Sequence, residues 1–296
     1  MPLVPLLVLS VGCSPRPAPP SVEDSLTSGR IRIACAPEAR ELIAREAAAF
    51  RALYPQATLE IREATSRDGV GALFAAEADL AVITRELTTE ERAAAVRGRL
   101  ELEGYRFARD AAVMIAHPDN PVQNVGLDQL RSVYSADGAK WSALGGDERT
   151  MEVVVLPAQA DLTEFMIQQV MGGEPIRSHA RYAANEAEVV AEVKRNRDAL
   201  GYVSLAAVPE GVRVMRLANL TGLPYWKPDL EAIYRGDYPL TRFFSFYIRT
   251  DGPRLAAGFI TYVTSRDGQV LVQQHGLVPT AVPVRFVRRS PMLSTH

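Results

Sequence analysis

Short apolar runs alternate with segments of helical spacing along most of the chain. In the stretch IRIACAPEARELI, residues 31–43, a strand-like run leads into a helical pattern that places Ile43, Ala47 and Phe50 on one face. Further strand-like runs are LEI (59–61), ADLAVI (78–83), AAVMIA (111–116), MEVVVLP (151–157), GYVSL (201–205) and FFSFYI (243–248). Helical patterns lie between them, for example at residues 162–173 and 186–197. This alternation predicts an α/β fold in which helices cover largely parallel sheets.

The N-terminal stretch MPLVPLLVLSVGC, residues 1–13, has the pattern of an export signal. Its apolar run is shorter than the roughly 20 residues that span a bilayer. LSVGC is similar to a lipobox ending in Cys13, although Leu9 lies one place upstream of the usual position and no Lys or Arg precedes the run. Residues 14–29 are rich in Pro and Ser and predict an extended tether. The alternative is a disordered N-terminus on a cytoplasmic protein.

Composition and charge narrow the function classes. The chain of 296 residues is 47% hydrophobic and 23% charged, enough for a core divided between two lobes. Its net charge of -2, without a basic cluster interleaved with aromatics, argues against nucleic-acid binding. The basic segment RFVRRS near the C-terminus is interpreted as a solvated tail.

Motifs for catalysis and metal binding are missing from the sequence. The two cysteines have no CxxC or Cys/His ligand spacing, and the four histidines show no HExxH pattern. GxSxG, P-loop and GxGxxG motifs are also absent. Cys35 is either a reactive thiol at a helix start or a small filler. We therefore expect a protein that is not an enzyme and needs no cofactor or metal.

Five segments, in this order along the chain, carry a family resemblance. They are ARDAAVMIAHPDNPV (108–122), VYSADGAKWSALGGD (133–147), ALGYVSLAAV (199–208), IYRGDYPLTRFFSFYI (233–248) and SRDGQVLVQQHGLVP (265–279). Over residues 31–283 the chain resembles the phosphate-binding proteins of phosphate ABC transporters. Taken singly, Trp141 and Tyr238 are as well explained by core or interlobe packing. The inference rests on the common order and spacing of the segments.

The resemblance implies a two-lobed periplasmic-binding-protein fold of type II with a ligand cleft between the lobes. The first lobe would comprise residues 30–115 and 240–288, the second residues 116–239, and residues 289–296 would form a tail. The implied function is non-enzymatic capture of phosphate or a related small anion outside the cytoplasm. The implied partner is an ABC permease in the cytoplasmic membrane, served by a monomer held to a membrane through lipid on Cys13. The alternative is a sensory or interaction lipoprotein with an altered cleft for a non-phosphate ligand or a partner protein.

The family's ligand shell lies on strand-to-helix turns that offer N–H and hydroxyl donors to phosphate. At the first turn this chain has Ala36, Pro37 and Glu38 after Cys35 and lacks both of the family's hydroxyls. The second turn matches better, with Asp79, Thr84 and Arg85, and the upstream segment TSRDGVG keeps Ser66. At the third turn Gln159, Ala160 and Asp161 replace the family's hydroxyl residues. The resemblance implies that these ten positions line the ligand site: Ala36, Pro37, Glu38, Ser66, Asp79, Thr84, Arg85, Gln159, Ala160 and Asp161.

Glu38 and Asp161 allow two interpretations. Each is at a predicted helix start, where an acid can serve as a cap and stabilise the helix by roughly 0.3 to 1 kcal/mol. Each could instead face the cleft, where a carboxylate about 4 Å from a phosphate oxygen is repelled by roughly 4 kcal/mol at an effective dielectric of 20. Phosphate binding therefore requires that these acids point away, become protonated, or are neutralised by Arg67 or Arg85.

Overall fold

The computed structural model describes residues 23–177 and 179–280. Nine α-helices lie in these ranges: α1 Arg40–Leu53, α2 Ser66–Phe74, α3 Thr89–Arg97, α4 Leu127–Ser135, α5 Asp161–Gln169, α6 Glu186–Arg195, α7 Leu230–Arg235, α8 Arg254–Val263 and α9 Arg266–Gln274. Short 3-10 helices span Pro37–Ala39, Trp141–Leu144 and Leu205–Ala207. The predicted signal, its lipidated Cys13 and the predicted tail lie outside the described residues.

Twelve strands complete the described part: β1 Gly29–Cys35, β2 Ala57–Glu63, β3 Leu80–Ile83, β4 Leu102–Ala116, β5 Asn124–Gly126, β6 Glu152–Val155, β7 Arg181–Tyr182, β8 Ala199–Ser204, β9 Arg213–Val214, β10 Arg216–Ala218, β11 Thr241–Arg249 and β12 Val278–Pro279. Ten of them form one sheet whose main order is β2-β1-β3-β11-β4-β8-β6-β7. The outer strands pair in parallel, as the alternating pattern predicts. The central strands β4 and β11 are antiparallel to their neighbours.

Strand β4 joins the two lobes. Its residues up to Ala111 pair with β11, and its residues from Ala112 onward pair with β8. The apolar core also changes along this strand. Phe107 and Ala108 pack with β1, α1 and α8, while residues 111–116 pack with α4, α5 and α6. We use "first lobe" for the part around the former core and "second lobe" for the part around the latter; the sequence-predicted boundaries remain a prediction.

The chain upstream of β1 packs against the first lobe. Asp24 accepts hydrogen bonds from the backbone N–H groups of Arg254 (2.9 Å) and Leu255 (3.4 Å), which lie at the start of α8. Gly258 lets this segment approach, because a Cβ there would lie 1.8 Å from the carbonyl oxygen of Leu26. The last residues of the predicted tether are therefore part of the folded lobe.

Across residues 23–177 and 179–280, no helix is long and apolar enough to cross a membrane.

Helix α1 shows the helical pattern predicted for this segment, with one charged exception on its buried face. Ile43, Ala47 and Phe50 are buried, and so is Glu46, which is 0% exposed. Neither carboxylate oxygen of Glu46 has a hydrogen-bond partner among the described residues. Burial without a partner disfavours the charged form and raises the pKa of Glu46 to about 8.

We predict that Glu46 makes the free energy of unfolding depend on pH. Its folded pKa is raised, so stability falls as pH rises from about 4.5, where the unfolded state loses its proton, to about 8. Glu46→Gln should remove this decline, so its stability relative to wild type should grow by several kcal/mol, on the order of 3–5, between pH 5 and 8.5. Urea unfolding at several pH values measures it. Glu41→Gln, an exposed change on the same helix, is the control. A stability difference between Glu46→Gln and wild type that does not change with pH would contradict the prediction.

Candidate functional site

A cavity of about 660 Å³ lies between the two lobes. The first lobe contributes Pro37, Glu38 and Thr65. The second lobe contributes the loop before α5, the start of α6 and neighbouring positions, namely Leu156, Pro157, Gln159, Ala160, Asp161, Ala184, Asn185, Glu186, Ala187, Val190 and Ala207. Five of the ten sequence-predicted site residues line this space: Pro37, Glu38, Gln159, Ala160 and Asp161. The cavity is large enough for a small organic or inorganic solute.

Next to this cavity, the start of α2 presents hydrogen-bond donors. Thr65 is the N-cap residue, and its hydroxyl accepts from the backbone N–H of Asp68 (3.2 Å). The N–H of Ser66, the first helical residue, has no partner inside the helix and points to the cleft. The hydroxyls of Ser66 and of Thr84, which follows β3, lie beside it because the backbone N–H of Thr84 donates to the Ser66 oxygen (3.1 Å). Such a set of N–H and O–H donors at a helix start suits an anion.

The carboxylate of Asp161 occupies these donors. The Ser66 N–H lies 3.0 Å from each Asp161 oxygen, and the Ser66 hydroxyl donates to Oδ2 at 2.6 Å. The Thr84 hydroxyl also donates to Oδ2, at 3.2 Å. Asp161 is 3% exposed, and it belongs to the second lobe whereas both donors belong to the first. The interpretation of Asp161 as a cap of its own helix is wrong, because Ala160 is the N-cap and no side-chain cap bond forms.

A second group of buried charges surrounds Arg242 on β11. Its guanidinium pairs with Asp110 on β4 at 2.7 Å and lies 3.7 Å from an oxygen of Glu38. It also donates to the Thr84 hydroxyl at 3.3 Å, which links this group to Asp161. Arg242 is the only cation in direct contact with these carboxylates among the described residues.

Glu38 is an acid in the first turn of its 3-10 helix, as predicted, and it also faces the cleft. Pro37 is at the first helical position, as predicted, while the Glu38 carboxylate is only 11% exposed and has one oxygen without a hydrogen-bond partner in the described chain. Burial raises the pKa of Glu38, and the charge of Arg242 opposes that rise. Glu38 is therefore a cleft residue that favours a proton or a nearby positive charge.

Glu186, at the start of α6, is a further carboxyl group of the cavity. One of its oxygens accepts from the backbone N–H of Ser204, whose hydroxyl donates to Asp110 at 2.9 Å. Burial raises the pKa of Glu186 to about 7. The cleft thus brings Glu38, Asp110, Asp161 and Glu186 around one buried guanidinium, and Glu186, with its pKa near 7, is partly protonated near neutral pH.

The other predicted site residues lie in different places. Arg85 makes a bidentate ion pair with Glu91 (2.7 and 2.8 Å). It lines a neighbouring cavity rather than the 660 Å³ interlobe cavity. The backbone N–H of Ala36 is already bonded to the Val82 carbonyl oxygen at 2.9 Å.

Asp79 does not lie with Ser66, Thr84 and Asp161. It lies at the opposite end of β3 from Thr84 and binds the backbone N–H and the guanidinium of Arg32 at 2.8–3.1 Å. These bonds hold the pKa of Asp79 below its usual value, against the effect of burial. The resemblance implied that Asp79 lines the ligand site, and the structure places it outside the interlobe cavity, paired with Arg32.

Cys35 is a buried free thiol on β1. Burial raises its pKa well above the usual value, so it has the environment of a small core residue rather than of a nucleophile. Within the described residues, no group of His, Cys, Asp and Glu side chains is arranged to hold a metal ion.

Three charged residues of the site were not predicted from the sequence: Asp110, Glu186 and Arg242. Asp110 and Arg242 are charged residues inside apolar strands, and the quoted family segments contain both. A charged residue inside an apolar strand requires a buried partner of opposite charge. The two isolated charges could therefore have been predicted to pair with each other. Glu186 follows the N-cap Asn185 and reads as an ordinary first-turn acid in sequence.

Comparisons with known proteins agree with this architecture. A family model for the PBP superfamily domain matches residues 20–267. The phosphate-binding protein PstS of Pseudomonas aeruginosa (strain PAO1) is 23% identical over 256 residues, covering 79% of this chain and 78% of that protein. PstS of Bacillus subtilis (strain 168) is 21% identical over 254 residues, covering 85% of this chain and 81% of that protein.

Solved structures show the same fold. An ABC-type phosphate transport receptor from Vibrio cholerae superposes with a TM-score of 0.73 at 21% identity, over 84% of this chain and all of that chain. PstS from Borrelia burgdorferi gives a TM-score of 0.64 at 16% identity, over 84% of this chain and 98% of that chain. The predicted two-lobed fold is confirmed.

We predict that Arg242 and Asp110 are strongly coupled in stability. Arg242→Met leaves buried carboxylates without their cation and should cost about 3–5 kcal/mol of unfolding free energy. Adding Asp110→Leu should recover part of that loss, since the remaining unpaired charge is removed. Urea unfolding of both single variants and the double variant measures the coupling. Lys140→Met, which breaks an exposed pair with Glu148, is the control and should cost at most about 1 kcal/mol. Additive costs for Arg242 and Asp110 would contradict the pairing.

Proposed function

Because the chain belongs to the PBP superfamily, we propose that it is the extracytoplasmic solute-binding component of an ABC transporter. It captures a small anion, with phosphate as the first candidate, in the cleft between its lobes. Relatives along most of the chain are named phosphate-binding proteins, and they are binding proteins rather than enzymes. Capture is therefore non-covalent, and movement of the lobes presents the solute to a membrane permease.

One observation carries the anion assignment. The Ser66 N–H, the Ser66 hydroxyl and the Thr84 hydroxyl converge on one oxyanion, the carboxylate of Asp161, at 2.6–3.2 Å. A phosphate oxygen has the same acceptor chemistry and is favoured further by the α2 dipole. The cleft thus has the donors needed for an anion, and the anion they now hold is part of the chain.

The surrounding carboxyl groups limit the affinity. A phosphate on these donors has to displace Asp161 and lies near Glu38, whose repulsion is roughly 4 kcal/mol if it is ionised about 4 Å away. Arg242 neutralises part of this charge, and the raised pKa values of Glu38 and Glu186 allow protons to neutralise more. We therefore expect phosphate to bind more weakly than to a cleft whose three turns all carry hydroxyl donors.

The N-terminal pattern completes the proposal. Export and lipid attachment at Cys13 would hold the monomeric protein at the membrane that contains its permease. Residues 14–22 would then connect the lipid to the segment that packs on α8 at Asp24. Residues 14–22 lie outside the described part of the chain.

We predict that filling the interlobe cavity weakens solute binding. Ala187 is exposed and lines the cavity at the start of α6, so Ala187→Trp blocks the space without disturbing a core. Isothermal titration calorimetry with phosphate, sulfate and lysine identifies the solute class of the wild type and should show binding reduced at least tenfold in the variant. Ala48→Trp, exposed on α1 and away from the cavity, should bind as wild type does. Equal binding by Ala187→Trp would place the solute elsewhere.

We predict a membrane-attached protein whose attachment requires the thiol of Cys13. Cys13→Ser removes the only position that a lipobox-type signal could modify, so the protein should move from the membrane fraction to the soluble fraction. Immunoblots of the two fractions measure this change. Cys35→Ser is the control, since its buried thiol is inaccessible to lipid transfer. An unchanged distribution of Cys13→Ser rejects lipidation.

A further inference from the structure

We infer that Asp161 is an internal ligand of the anion site and sets the cleft's apparent affinity and selectivity. This inference rests on the proposed function, since it concerns the site in which the solute would bind. In the ligand-free protein, the carboxylate of the second lobe would hold the first lobe by the same donors that an incoming anion needs. A solute then binds only if it replaces Asp161 on these donors.

The bonding of Asp161 is that of a bound anion rather than of a helix cap. Both of its oxygens receive the Ser66 N–H, and Oδ2 also receives the hydroxyls of Ser66 and Thr84. Arg242 donates to Thr84 in turn, at 3.3 Å, so positive charge reaches the carboxylate through the hydroxyl. All of these partners belong to the first lobe: Ser66 begins α2, Arg242 lies on β11, and Thr84 directly follows β3. The local sequence of α5 gains no capping bond from Asp161.

An independent contact from the same helical turn supports an interlobe role. Glu164, three residues after Asp161, lies 3.1 Å from Arg67 and 3.8 Å from Arg85 of the first lobe. Residues three apart on a helix face the same side. The first turn of α5 thus extends two carboxylates to the first lobe, Asp161 to the donors of Ser66 and Thr84 and Glu164 to Arg67 and Arg85.

The energetic consequence is a competition inside one molecule. An interlobe bond that forms without solute stabilises a closed state, and the binding-competent population falls accordingly. The apparent dissociation constant rises in proportion to that loss of population. An oxyanion can replace the carboxylate on all three donors, whereas a solute without acceptor oxygens gains nothing from displacing it. Asp161 would therefore select against solutes that cannot bind the α2 donors.

Matched variants separate the internal ligand from a general interlobe contact. Asp161→Ala frees the donors, whereas Glu164→Ala breaks the neighbouring ion pairs and leaves the donors occupied. Asp161→Asn keeps a neutral acceptor in place and serves if the alanine variant folds poorly by circular dichroism. For each protein, small-angle X-ray scattering without phosphate gives the radius of gyration, and calorimetry with inorganic phosphate gives the affinity.

We expect Asp161→Ala to have a larger radius of gyration without phosphate and to bind phosphate at least tenfold more tightly than wild type. Asp161→Asn should have a radius of gyration and a phosphate affinity between those of wild type and Asp161→Ala. Glu164→Ala should change the phosphate affinity less than threefold. If Asp161→Ala has the larger radius of gyration but neither it nor wild type binds phosphate, the internal ligand is supported and phosphate is rejected as the solute. Equal compactness and equal affinity of wild type and Asp161→Ala, or weaker binding by the variant, would overturn the inference.

Discussion

The arrangement of the cleft depends on the contact between the Asp161 carboxylate and the donors at the start of α2. An unpaired N–H and two hydroxyls at a buried helix end need an acceptor, and a buried carboxylate needs donors. The contact satisfies both needs at once, with Ser66 and Thr84 on one lobe and Asp161 on the other. It therefore links the two lobes and occupies the donors of Ser66 and Thr84.

The charges around this contact follow from the same constraint. Arg242 is buried between Asp110, Glu38 and Thr84. Removal of Arg242 or of Asp110 alone would leave a buried charge without its partner. Burial raises the pKa values of Glu38 and Glu186, the neighbouring carboxylates add to this rise, and Arg242 opposes it. A site of this kind can accept an anion only by moving a carboxylate or by taking up protons. The chain keeps the fold of its family. Its cleft, however, is lined by buried carboxyl groups in addition to hydroxyl donors.

Much of the fold was predictable from local pattern. The run from residue 31 and the helical face of Ile43, Ala47 and Phe50 follow from periodicity, and so does the strand predicted at 201–205, which the structure has at Ala199–Ser204. The antiparallel centre of the sheet was not predictable, since pairing of β4 with β11 joins segments more than a hundred residues apart. For the site, Thr84, Ser66 and Asp161 were identified from motif position. The partners of Asp79 and the cluster of Asp110 with Arg242 depend on tertiary contacts that spacing does not encode.

A crystal structure of the wild-type protein, grown without phosphate, sulfate or carboxylate buffers, tests the central claim most directly. The account predicts the Asp161 carboxylate within hydrogen-bond distance of the Ser66 N–H and both hydroxyls, with the lobes in contact through the first turn of α5. A structure in which Asp161 points away and water occupies the donors of Ser66 and Thr84 would contradict it.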